Sequence, residues 1–180
     1  VAATLWDDRG VMIADTHGGS GATIFACGKG GPARLDLEAL ESPGPFAVEL
    51  RKDTAAPPLL VARPIAAARL LERMGAGGEV LDATSAVTAT LVALEPAQRK
   101  SFPLVVPASS CVEVIAALDG GGTGVDLRLT APGTDGTLTR SPDVAGDRLC
   151  AGSAPVQGTY ELRLGAGKAE ALVVTRAVLP

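Results

Sequence analysis

Apolar residues recur at every second position in short runs broken by Gly, Pro, Asp and Ser, which is the period of half-buried strands. Thr88 to Leu94, Phe102 to Val106 and Cys111 to Leu118 read as three such strands, and Val125 to Leu129, Gly158 to Leu164 and Leu172 to Arg176 as three more. One stretch departs from this period. Pro64 suits a first helical turn, the Ala, Leu, Arg and Glu residues up to Met74 favour a helix, and Gly75 and Gly77 end it. Ile65, Ala68, Leu71 and Met74 share one face of that helix, which is expected to pack on the end of a sandwich. Ala76 to Asp82 reads as a short linker.

The pattern repeats itself. Val1 to Leu5 resembles Val125 to Leu129, and each is followed by a turn, Asp7-Asp8-Arg9-Gly10 or Pro132-Gly133-Thr134-Asp135-Gly136. A cysteine follows at nearly the same distance, Cys27 or Cys150, and then a Gly-led strand containing an aromatic residue, Gly44 to Leu50 or Gly158 to Leu164. Leu59 to Arg63 matches Leu172 to Arg176 as a closing strand. Pro32 to Ser42 has no counterpart, and its alternating Leu35 to Leu40 reads as an additional edge strand. The expected architecture is all-β: two tandem β-sandwich, jelly-roll-like modules, the first incomplete, joined by a short helix. Residues 1–63 form the partial module lacking its first strands, 64–82 the helix and linker, and 83–180 the complete module.

Nothing ahead of Val1 corresponds to Thr88 to Asp119. Two accounts stay open: the chain begins inside a module of a longer polypeptide, or a neighbour's strands complete the sheet, which makes self-association through the first module an expectation.

Composition narrows the function classes. A hydrophobic fraction of 47% excludes a disordered chain, and with aromatics at only 3% the core must be aliphatic. The formal charge is -4, and the cations are spread along the chain without a basic block, so no nucleic-acid partner is expected. The longest apolar runs, Pro57 to Ala62 and Pro103 to Pro107, are too short for a transmembrane segment. The absence of Asn and the preference for Arg over Lys fit a GC-rich bacterial source.

The repeat also orders the three cysteines. Cys27 and Cys150 are equivalent, and the partner corresponding to Cys111 falls ahead of Val1, so a structural disulfide is expected between Cys111 and Cys150 with Cys27 left over. Such a bond implies a periplasmic, cell-surface or extracellular location. Three buried free cysteines are the alternative.

Candidate chemistry is sparse. His17 is the single histidine, and its neighbours Asp15 and Ser20 do not make a triad by proximity in sequence; the segment reads as a solvated loop. The clusters Gly28 to Gly31 and Gly120 to Gly124 lack the Gly-Lys-Ser/Thr ending of a phosphate loop and read as turns. Asp7, Asp8 and Asp15, or Asp119, Asp126 and Asp135, lack the density of a calcium loop, and Glu49 and Glu161 sit on separate modules. No catalytic residue, cofactor or metal site is expected.

Ser101 to Val106, Cys111 to Leu118, Gly124 to Gly133 and Gly158 to Leu164 together resemble the bacterial pre-peptidase C-terminal domain family. The last of these is similar to that family's Gly-x-Tyr strand. Only Asp126 stands where the family often has two acidic residues, and the cysteine pair is not a general family feature. The resemblance implies a jelly-roll-like sandwich, secretion, and an accessory or surface-attachment role without catalytic residues. The resulting expectation is a non-catalytic structural or binding module of a secreted or cell-envelope bacterial protein, with a protein or carbohydrate polymer as partner. The alternatives are an accessory fragment of a secreted hydrolase and a self-assembling subunit completed by strand exchange.

Overall fold

A computed structural model describes residues 1–17, 23–24, 26, 31–40, 44–45, 47–48, 58–75 and 87–178. The chain is all-β, with two modules joined through short helices. The first module is a three-stranded antiparallel sheet of β1 (Ala2–Trp6), β2 (Met12–His17) and β3 (Arg34–Glu38), in the order β2-β1-β3. Two helices follow, α1 (Pro58–Ala62) and α2 (Pro64–Gly75).

The second module has eight strands: β4 (Val87–Leu94), β5 (Arg99–Val106), β6 (Cys111–Leu118), β7 (Gly122–Thr130), β8 (Thr137–Ser141), β9 (Val144–Cys150), β10 (Val156–Gly167) and β11 (Ala169–Val178). They form two four-stranded antiparallel sheets, β5-β10-β7-β8 and β4-β11-β6-β9. Strand pairs β4 with β11, β5 with β10, β6 with β9, and β7 with β8 nest inside one another, as in one long hairpin with its tip at β7 and β8. Wrapped so that alternate nested pairs fall in opposite sheets, this hairpin is a jelly roll. The turn at its tip needs Gly136, whose φ is +72° and where a Cβ would stand 2.5 Å from the Leu129 carbonyl oxygen.

Between the sheets lies an aliphatic core that includes Leu104, Val106, Val114, Leu127, Leu129, Leu162 and Leu164. Strands β7 and β10 reach it with alternate residues only. By contrast, β6 and β11 are buried on both sides, because Ile115, Ala117, Leu172 and Val174 form a second cluster on the outer face with Leu60, Ala66, Ala67, Leu70 and Met74 of the helices.

Several expectations are corrected here. The helix packs through Ala66, Ala67, Leu70 and Met74 on the broad outer face of a sheet, whereas Ile65, Ala68, Leu71 and Met74 were expected to meet the end of a sandwich. The physical reason is two-sided burial: a sheet whose central strands are apolar on both faces must be covered, and alanines on the helix allow close approach. Leu59 to Arg63 is not a strand matching Leu172 to Arg176, since Pro58–Ala62 is helical. The expected strand from Gly44 to Leu50 is absent at Gly44, Pro45, Ala47 and Val48, the described residues of that stretch. The additional strand near Leu35 takes the position beside β1 instead, as β3. Among the repeat landmarks, the β1–β2 hairpin does parallel the β7–β8 hairpin in pairing. The linker Ala76 to Asp82 lies outside the described residues.

Candidate functional site

Cys111 and Cys150 face each other in the register of β6 and β9 and are joined by a disulfide with a Cα separation of 3.9 Å. The bond ties edge strand β9 to its neighbour. Cys27 lies outside the described residues.

The other candidate residues do not converge. His17 and Asp15 are both exposed on β2, and Ser20 lies outside the described residues. Asp7 organises the β1–β2 turn: its carboxylate accepts the Arg9 and Val11 N–H groups at 2.9 and 2.8 Å and pairs with the Arg9 guanidinium at 3.0 Å. The Val11 hydrogen bond, with Arg9, holds this carboxyl below its ordinary range. Asp8 is exposed. Asp119 and Asp135 lie beyond opposite ends of β7, with Asp126 between them in an ion pair to Arg140. Glu49 lies outside the described residues, and Glu161 faces Arg99 at 3.7 Å. Gly120 and Gly121 make the turn from β6 to β7. No group of three His, Cys, Asp or Glu side chains that could hold a metal ion occurs among the described residues.

Asp119 has a structural task. Its Oδ1 accepts the Ala66 N–H in the first turn of α2 at 3.2 Å, and its Oδ2 lies 3.3 Å from Arg63 Nε. Arg63 also pairs with Glu170 at 2.6 Å, while Arg69 donates to the Leu118 carbonyl oxygen and pairs with Asp143. These contacts clamp α2 along its sheet. Burial pushes the Asp119 carboxyl above its ordinary range, opposed by the Ala66 N–H and Arg63.

At one end the two sheets part around an opening of about 360 Å³, with Thr88, Thr90, Val112, Tyr160 and Thr175 among its walls. Phe102 stacks on Tyr160 there, centroids 4.9 Å apart, and burial raises the Tyr160 phenol above its ordinary value. The opening offers hydroxyls and apolar walls, without a group placed for acid–base work.

The richest polar surface is the outer face of β5-β10-β7-β8. Strand register places Arg99, Arg163, Asp126 and Arg140 in one row across all four strands, and Ser101, Glu161, Arg128 and Leu138 in the next. Thr159 and Thr130 continue the face, their hydroxyls 2.8 Å apart. Arg99 and Arg140 are 62% and 70% exposed, and Arg128 and Arg163 are exposed without an ion pair among the described residues. Four arginines thus face two carboxylates, in a chain whose formal charge is -4. Arg99 and Arg163 are direct cross-strand partners, a like-charge juxtaposition that destabilises a sheet.

These arginines escaped sequence reasoning because they do not form a run. The only signal is positional: Asp126 and Arg128, and Glu161 and Arg163, sit two residues apart on alternating strands and so share a face. Their alignment across strands depends on register.

No sequence profile of a known protein family matches the chain, nor does any curated protein. Among solved structures the chain is similar to a de novo designed double-stranded β-helix studied in solution by NMR, at 18% identity over 51% of this chain and 99% of that one, with a TM-score of 0.32.

Proposed function

We propose that the chain is a non-catalytic binding module of a secreted or cell-envelope protein, holding a polymer or protein partner on the open face of β5-β10-β7-β8. The observation that carries this reading is the asymmetry of the sandwich. One outer face is sealed by α2, and the other presents Arg99 and Arg163 side by side with no gain to the fold. A local pairing rule broken without a compensating contact is characteristic of surfaces kept for a partner. The Cys111–Cys150 bond supports an oxidising compartment. No helix among the described residues is long and apolar enough to cross a membrane, so attachment through this face is compatible with the fold.

The test is a binding panel of polysaccharides and envelope or matrix proteins, probed with the chain and with an Arg128→Glu/Arg163→Glu variant. Retention of at least one partner, lost on charge reversal, is the expected result. Retention that ignores the reversal, or catalytic turnover of a retained partner, overturns the reading. Alkylation of thiols in intact producing cells checks the compartment: Cys111 and Cys150 should be protected until reduction.

A further inference from the structure

We infer that the open face takes a linear carboxylated polysaccharide, a polyuronate, gripped by Arg99, Arg128 and Arg163; this rests on the face being the binding surface. Guanidinium groups match carboxylates through two parallel N–H donors, and Arg is the side chain that makes such forked contacts. The three arginines lie on neighbouring strands β5, β10 and β7. Strands stand about 4.8 Å apart, close to the advance of one sugar residue along an extended chain. A chain laid across the strands therefore brings successive carboxylates to successive arginines. Arg99 and Arg163, which repel one another in the free protein, gain a shared counter-charge.

The uncharged part of the face fits the rest of such a polymer. Ser101, Gln157 and the Thr130–Thr159 pair offer hydroxyl and amide groups at the level of sugar hydroxyls. Val105 and Leu138, 63% and 44% exposed, give low apolar ground for sugar C–H faces.

Other polyanions fit less well. Single-stranded nucleic acid is held by aromatic platforms on which bases stack, and this face has no aromatic side chain. An acidic peptide binds by adding a strand to a sheet edge or by filling side-chain pockets. Here two of the three arginines sit on the central strands β10 and β7, on a flat surface.

The experiment is titration of the whole 180-residue chain with polygalacturonate, its fully methyl-esterified form, poly-glutamate and single-stranded DNA, at low and high salt. Binding to polygalacturonate that weakens with salt, and little binding to the esterified polymer, supports the inference. The Arg99→Gln/Arg128→Gln/Arg163→Gln variant should bind about tenfold more weakly, three exposed charge pairs being lost. The corresponding triple Lys variant should recover only part of that loss, because an ammonium cannot fork. Arg34→Gln, on β3 of the other module, should bind as the parent does.

Equal or tighter binding of DNA or poly-glutamate with the same arginine dependence overturns the polyuronate assignment while leaving the binding face in place. Polygalacturonate binding that is untouched by the triple Gln variant overturns the site. Failure to bind polygalacturonate, with a protein partner retained through the same arginines in the panel above, overturns this inference alone. Unchanged melting of each variant shows that loss of binding is not loss of fold.

Discussion

The two outer faces of the sandwich are built from the same kind of strand and end in opposite states. On β4-β11-β6-β9 the outward positions Ile115, Ala117, Leu172 and Val174 are apolar, and α2 covers them. On β5-β10-β7-β8 the outward positions are Arg99, Ser101, Glu161, Arg163, Asp126, Arg128 and Arg140, and they face solvent. The inward residues of both sheets share one core, so the difference lies wholly in the second face. A sheet needs one buried face to be stable; the character of the other decides whether it acquires a cover or remains available to a partner.

The sharpest way to break this comparison is to cut the contact that seals the covered face. Leu70→Ala leaves a cavity between α2 and the sheet and should cost about 2–5 kcal/mol in denaturant unfolding. A cost under about 1 kcal/mol would mean that α2 is loosely attached and that the two faces are more alike than they look.

Next comes the disulfide, which fastens the edge of the covered sheet. Replacing both Cys111 and Cys150 by Ser should cost about 2–4 kcal/mol, the bond closing a loop with a sequence separation of 39. Reducing agent should lower the melting temperature of the parent protein and leave that of the double Ser variant unchanged.

The clamp on α2 is addressed through pH. Because the folded carboxyl of Asp119 titrates above its ordinary value of 3.8, its contribution to stability is full below that value and is lost as pH rises through the raised one. Asp7 has the opposite sign: its folded carboxyl titrates below 3.8, so its contribution is present above that value and fades as pH falls through the lowered one. Urea unfolding across the acid range should show the parent losing stability relative to Asp119→Asn as pH rises, and losing it relative to Asp7→Asn as pH falls. Profiles of the same sign would refute the burial argument for Asp119.

The smallest effect belongs to the open face. Arg163→Gln should change stability by no more than about 0.5 kcal/mol, in the stabilising direction, since it relieves the contact with Arg99. A substantial loss would show that this arginine serves the fold, and the open face would lose its claim as a binding surface.

Much of the second module was legible because its strands carry their own signature. The alternation in Val125 to Leu129 and Gly158 to Leu164 marks one buried face, and Gly and Pro mark the turns. The continuous apolar run from Val114 to Leu118 also held a message, that both of its faces are buried. Reading it as a strand alone left α2 without its true seat. The first module was less legible: repeat matching in a sequence rich in Ala, Gly and Val assigned Leu59 to Arg63 a strand, although Pro58 at the first position and Leu-rich composition suit a helical turn equally well. The candidate site was hardest to see, because its arginines are 12 to 35 residues apart in sequence and adjacent only across hydrogen-bonded strands.

The sequence by itself determined the class of structure, the strands of the sandwich, the helix after Pro64 and the pairing of Cys111 with Cys150, since these follow from local periodicity, turn chemistry and spacing. Only the tertiary structure decided which sheet α2 covers, which residue caps it and which charges stand together on the face left open. Those features depend on strand order and register, where residues far apart in the chain become neighbours, and local periodicity carries no information about which of several similar strands will meet.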